Sequence, residues 1–396
     1  MESRLDWNRN QSQAIDLLRF PLMVIVVFGH TLLTTVSVEK ADFPFLSGQG
    51  VYNALSVMFT YVIPHMTVPV FFMMSGYLFF RNFNVWSWQV YREKLRKRFW
   101  TLLVPYVLWN IIPVIVNLFR YSVLAVRNHS ADGVLDYIRG VSLWSIFVEN
   151  VRLPWPTNIL GWEGCYLTGP LNGTLWFMQD LIVLSIISPV IYYLIRKTKA
   201  WVIVLLAVGY VVNITIPVHG ISFNGLLFFS VGAYFVLSGR NMCEFSRRHV
   251  GWLLSATLVF CGLGVYYGGI KETYGLFFTY LYTIPCSFLA FAIASFLIEK
   301  YGLKPNRFLT RCTFFIFGMQ MINILEVGLI VQICRDFLYS VIGMDSYLQL
   351  GIANFLTPAL TAGVCMLTYY LLNRFMPGLS AVLSGNRNKV SRDRYL

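Results

Sequence analysis

Apolar residues run along this chain in long unbroken stretches, separated by short polar or Pro- and Gly-containing breaks. A helix that spans a bilayer needs about 20 mainly apolar residues. Ten stretches qualify, at roughly 15–36, 56–80, 99–124, 173–195, 200–218, 221–238, 250–269, 274–298, 310–334 and 348–376. The fifth and sixth are short and meet at Pro217-Val-His-Gly220, which reads as a tight hairpin. The apolar runs do not alternate with polar residues as the strands of a transmembrane barrel do. The pattern predicts an all-α fold: a polytopic transmembrane helical bundle of about ten spanning helices.

Composition agrees. Of 396 residues, 57% are hydrophobic and 12% charged, against about 45–50% and about 25% in a soluble domain. Too little polar surface remains to face water, which excludes a soluble enzyme, a disordered tail and a coiled coil. The formal net charge of +13 would suggest nucleic acid in a soluble protein. In a membrane protein it is the excess of Lys and Arg on cytoplasmic loops, so the partner expected is lipid and not nucleic acid. With the N-terminus inside, the inner segments hold 23 Lys and Arg and the outer segments 7. That bias places both termini in the cytoplasm and the chain in the cell's inner membrane, with a basic tail at 377–396. No removable signal peptide is visible. The seven cysteines form no CxxC pair, so neither a disulfide framework nor a metal site is expected.

Two connecting segments stand out. The inner segment Arg81–Arg98 carries Arg92, Lys94, Arg96, Lys97 and Arg98 within seven positions. The outer segment 125–172 is the long one, with Trp144, Trp155, Trp162, Glu149 and Glu163 among prolines and tyrosines.

An ionisable group inside a membrane is costly and is a functional candidate by default. The first stretch holds Asp16, Arg19 and His30. Eleven residues of α-helix turn Arg19 to within about 20° of His30 and place it about 16 Å away along the axis. Asp16, one turn before Arg19, is placed to hold the guanidinium. Histidine is suited to take a proton from a hydroxyl near neutral pH, and arginine to bind an anionic group. The alternative is that Arg19 snorkels to the headgroups and His30 is a hydrogen-bonded core residue.

Further motifs follow. Val68-Pro-Val-Phe-Phe-Met-Met-Ser-Gly-Tyr-Leu-Phe79 includes Ser75 and Gly76, which suit close helix approach. Ser75 is also a candidate acyl carrier, with packing the stronger reading. Thr101-Leu-Leu-Val-Pro-Tyr-Val-Leu-Trp-Asn110 follows the basic segment. Leu175-Trp-Phe-Met-Gln-Asp-Leu181 places Asp180 inside the membrane, and Glu326 lies inside the ninth stretch. Both carboxylates need a partner or a wet cavity.

Taken in order, Arg19-x10-His30, VPVFFMMSGYLFF, the basic stretch before TLLVPYVLWN, LWFMQDL and TFFIFGMQ (313–320) resemble the membrane acyltransferase 3 family over about residues 14–375. The resemblance implies a membrane acyltransferase domain over 1–376. It also implies transfer of an acyl group, usually acetyl, from cytoplasmic acyl-CoA to a hydroxyl of an envelope carbohydrate or related acceptor. Acyl-CoA is then a co-substrate, and no bound cofactor is expected. His30 would deprotonate the acceptor, with Arg19 beside it and Asp16, Ser75, Asp180 and Glu326 in support. Arg92, Arg96 and Arg98 would hold the anionic nucleotide. Trp155 and Trp162 would cover sugar faces while Glu149 and Glu163 take hydroxyls, unless those tryptophans form an interfacial belt. Two positions depart from the family: Gln320 where a His is frequent, and Gln179 where an Arg is frequent. A proton-coupled transporter or flippase of polar envelope intermediates is the second reading. A non-catalytic component of a polysaccharide assembly complex is the third.

Overall fold

The computed structural model describes residues 2–32, 48–81, 83, 86–130, 132–148, 151–154, 159–161, 166–214, 216, 220–324 and 327–386. In chain order the elements are α1 (Glu2–Leu32), α2 (Gly48–Val57), α3 (Thr67–Phe80), α4 (Trp88–Arg98), α5 (Val104–Asn128), α6 (Asp132–Gly140) and α7 (Leu143–Phe147). A short hairpin follows, β1 (Val151–Pro154) with β2 (Tyr166–Gly169), and then α8 (Trp176–Ile186), α9 (Ser188–Thr198), α10 (Trp201–Val211), α11 (Phe223–Leu237), α12 (Met242–Arg248) and α13 (Val250–Tyr266). The chain continues with α14 (Thr273–Tyr301), α15 (Arg307–Met319), the two-residue strands β3 (Asn323–Ile324) and β4 (Val327–Gly328), α16 (Leu329–Ile342), α17 (Tyr347–Phe375) and α18 (Pro377–Leu383). Among the described residues the fold is all-α apart from these two small antiparallel ladders.

Among the described residues five continuous helical stretches are long and apolar enough to cross a membrane: Asn10–His30, Gln49–Phe80, Trp88–Asn128, Thr273–Tyr301 and Tyr347–Phe375. Two bent pairs bring the number to seven: α8 with α9, at 66°, and α11 with α12, at 100°. Helices α10 and α13 are apolar but shorter. Among the described residues, length and apolar character thus give five to seven spans, against the ten stretches read from the sequence. The ninth stretch, 310–334, is divided between α15 and α16 by the β3–β4 ladder. Apolar length alone does not reveal such a break, because both halves are hydrophobic.

Helix α1 sits among its neighbours. It packs on α3, α14, α15 and α17 and on the irregular segment before α3. That segment is wound as a π-turn over Met58–Val62 and a 3-10 turn over Ile63–Met66. Pro64 has no N–H to continue an α-helix, and its carbonyl is taken up by the Thr67 hydroxyl at 2.6 Å. Helices α3 and α11 cross with their backbones in close approach. A Cβ on Gly76 would overlap the Phe229 carbonyl, and a Cβ on Gly232 would overlap that of Met73. The expected close approach at Ser75-Gly76 is thus present, with Gly232 as its reciprocal partner.

The segment Arg81–Arg98 is not a loop throughout. From Trp88 it is the helix α4, capped by Ser87 and continuous through a π-turn with α5. Within the segment 377–396, α18 packs on α5, and the Trp109 indole donates to the Leu383 carbonyl at 3.0 Å.

Candidate functional site

The first turn of the apolar part of α1 carries an ion pair. Arg19 meets Asp16 at 2.9 Å, one helical turn apart, as their spacing predicts. Asp16 is buried, and its carbonyl accepts from the Thr310 hydroxyl at 3.4 Å where α15 begins. Arg81 donates to the Ser12 hydroxyl at 3.2 Å, so the end of α3 also closes on this part of α1. Near the other end of α1, Gly29 lies against Pro64; a Cβ there would stand 2.9 Å from the proline Cβ. The residues that follow each of these contacts are histidines. His30 is partly buried and makes no hydrogen bond with another described residue. His65 has a buried Nδ1 without a hydrogen-bond partner. Sequence reasoning passed over His65, although the same rule that picked out His30, a titratable group within an apolar stretch, also applies to it.

The basic residues of α4 divide into two faces. Lys94 and Arg98, four positions apart, turn toward the C-terminal end of α3. Lys94 donates to the carbonyls of Phe79 and of Arg81, the latter at 2.8 Å. Arg98 reaches the Ser75 hydroxyl at 3.0 Å and the Ser75 carbonyl at 3.3 Å, and its guanidinium lies 5.7 Å from the Phe79 ring centre. Cations are favoured at a helix C-terminus, where carbonyls lack intrahelical donors. Arg92 and Arg96 are exposed on the opposite side. The structure therefore separates the three arginines expected to act together, and it ties Ser75 to Arg98.

The remaining motifs converge on one buried polar knot. The Asn110 side chain accepts from the Asn172 backbone N–H at 3.0 Å. The Asn172 amide donates to the carbonyls of Gly318, at 2.8 Å, and Trp109, at 3.4 Å. The Thr174 hydroxyl bonds the Asn172 side chain at 2.9 Å and the Phe317 carbonyl at 3.3 Å. Gly318 lets the Trp109 ring lie against the helix, because a Cβ would overlap the indole. Aromatic contacts extend the knot. Phe177 lies 4.7 Å from Phe72 and 6.0 Å from Phe317, ring centre to ring centre, joining α3, α8 and α15. Tyr106 donates to the Phe147 carbonyl, so the segment that enters the 143–172 region is tied to α5. Gln320, just beyond α15, is fully buried here.

Asp180 has the partner it needs. The Ser222 hydroxyl donates to its carboxylate, and Ser222 in turn caps α11 by accepting from the Gly225 N–H at 2.9 Å. Asp180 thereby pins α8 to the positive end of α11. Glu326, Glu149, Trp155, Trp162 and Glu163 lie outside the described residues.

The arrangement has a charge-stabilised end, a histidine-bearing helix and a neutral amide knot, all drawn from motifs far apart in the chain. The family model described as "Acyltransferase domain" matches residues 12–372. The chain is similar to the succinoglycan biosynthesis protein ExoH of Rhizobium meliloti (strain 1021), with 24% identity over 395 residues, covering 97% of this chain and 94% of that protein. No solved structure matches it. On the family match over nearly the whole chain, the protein belongs to the membrane acyltransferase 3 family and is an O-acyltransferase with several membrane-spanning helices.

Proposed function

We propose that the enzyme moves an acyl group, acetyl as the first expectation, from cytoplasmic acyl-CoA to a hydroxyl of a cell-envelope polysaccharide. The observation that carries this reading is α1 itself. It holds Asp16, Arg19 and His30 while packing on α3 and α15, two of the helices that bear the other motifs. The name of the relative, a protein of succinoglycan biosynthesis, supports a polysaccharide as acceptor.

In this reaction His30 takes the proton from the acceptor hydroxyl. The oxygen attacks the thioester carbonyl, the C–S bond breaks, and CoA leaves as its thiol after receiving the proton from the imidazolium. Arg19, fixed by Asp16, offers a planar fork to an anionic part of the donor. Arg92 and Arg96 stand exposed to meet the nucleotide phosphates. Acyl-CoA is consumed as a co-substrate, and the enzyme works in the inner membrane with both termini in the cytoplasm.

The test is a labelled acyl-CoA assay on purified protein, paired with mass spectrometry of the host's surface glycans with and without the gene. A glycan acyl group that disappears with the gene, together with turnover that needs His30, supports the reading. Unchanged glycans and His30-independent turnover overturn it.

A further inference from the structure

Gln320 is fully buried, yet neither its Oε1 nor its Nε2 has a hydrogen-bond partner; among the described residues no other side chain has two such atoms. A buried polar group left unpaired in a native fold calls for a reason. Its surroundings make the omission conspicuous. Two residues before it, the Gly318 carbonyl is bonded to Asn172, and the neighbouring Asn110, Asn172 and Thr174 are joined to one another or to backbone. The knot is complete without Gln320, so the carboxamide contributes nothing to it. Its own backbone N–H is also satisfied, by the Ile316 carbonyl at 2.9 Å.

We propose that Gln320 binds the acceptor, its carboxamide accepting from one sugar hydroxyl and donating to the adjacent one. A carboxamide presents an acceptor and a donor side by side in one plane, and two neighbouring hydroxyls on a sugar ring present the complementary pair. The inference rests on the reading of the enzyme as an acyltransferase acting on a polysaccharide. Position in the fold favours the acceptor over the donor, whose amide groups offer similar hydrogen bonds. In the first turn of α15, Thr310 lies beside Asp16, on the side where Arg81, Lys94 and Arg98 gather. Ten residues later, about 15 Å along the helix, Gln320 stands two positions beyond Gly318, whose carbonyl holds Asn172. The carboxamide is thus at the end of α15 away from Arg81, Lys94 and Arg98 and from the helix α4 that presents Arg92 and Arg96 for a nucleotide. Because it is enclosed, the sugar reaches it during a local opening of the helix ends around it.

The experiment uses full-length protein in lipid nanodiscs. The acceptor probe is the repeating oligosaccharide prepared from surface polysaccharide of a host lacking the gene, and the donor is labelled acetyl-CoA. Parent, Gln320→Met and Gln320→Leu are compared for KM toward each substrate, kcat and thermal midpoint. Both variants remove unpaired polar atoms from a buried place, so both fold with a midpoint no lower than the parent's. The expected result is an acceptor KM raised at least tenfold with the acetyl-CoA KM unchanged. An unchanged acceptor KM, a rise in the acetyl-CoA KM instead, or a lower thermal midpoint in both variants overturns the proposal. Absence of His30-dependent acetyl-CoA turnover in the parent protein instead overturns the functional reading on which it rests.

Discussion

Helix α15 joins two polar regions built from different chemistry. At its first turn Thr310 touches the carbonyl of Asp16, which holds Arg19, and nearby Arg81, Lys94 and Arg98 donate to hydroxyls and to carbonyls at the end of α3. At its last turn Phe317 and Gly318 accept from Thr174 and Asn172, which are neutral. The first region is held by charge and helix-end carbonyls, the second by amides and hydroxyls among aromatic rings. Charged groups attract anions over distance and respond to salt, whereas neutral amides recognise shape and hydrogen-bond pattern at contact. The first kind of region suits an anionic group and the second an uncharged one, and α1 packs on α15, which joins them.

Substitutions separate the two regions, beginning with what connects them. His30→Ala is expected to lower acyl transfer by about 10²- to 10⁴-fold, the usual cost of losing a general base, while the protein still inserts and purifies. Near-parental turnover in a labelled acyl-CoA assay removes His30 from the mechanism.

Asn172→Ala tests the neutral end. It strips hydrogen bonds from the buried Thr174 hydroxyl and from the carbonyls of Gly318 and Trp109, while the backbone N–H that reaches Asn110 is kept. Each buried group left unpaired costs about 1–3 kcal/mol. A large fall in thermal midpoint is expected, similar at low and high salt. A salt-dependent fall contradicts the neutral character assigned to the knot.

Arg98→Gln tests the charged end and is expected to cost about 1.5–3 kcal/mol, the range for a hydrogen bond to a charged group. The loss should shrink in high salt. Arg98→Lys, which keeps the charge and loses the fork, is expected to recover part of it. Equal destabilisation by both variants, insensitive to salt, assigns the residue to packing over Phe79.

The smallest stability effect belongs to Arg92→Gln combined with Arg96→Gln. Both residues are exposed, so stability should move by no more than about 0.5 kcal/mol. The apparent KM for acyl-CoA is expected to rise at low salt and to lose its salt dependence. An unchanged KM returns these two arginines to positive-inside topology and lipid headgroups.

How far the site could be read from the sequence depended on the range of the interaction. Asp16 and Arg19 are one turn apart, and helix geometry alone places them together. Gly76 announced a close approach, but its counterpart Gly232, more than 150 positions away, carries no local mark. The three arginines of α4 looked equivalent because they are clustered in sequence; the helix sends Arg98 to Ser75 and leaves Arg92 and Arg96 outside. Asp180 was legible as a costly buried carboxylate, while its partner Ser222 lies on another helix.

The sequence by itself determined that this chain is helical and membrane-bound, because apolar length and charge depletion leave no other way to satisfy the backbone in lipid. It also determined the Asp16–Arg19–His30 register, which follows from the α-helical repeat. Only the tertiary structure decided which motifs meet. Trp109, Asn172, Phe177 and Gly318 come together through interhelical packing and hydrogen bonds between segments more than 200 residues apart. It likewise decided where helices break, as between α15 and α16, and which polar atoms stay unpaired, as at Gln320. Those outcomes depend on how side chains on several helices fill the same space, and no single stretch of sequence encodes them.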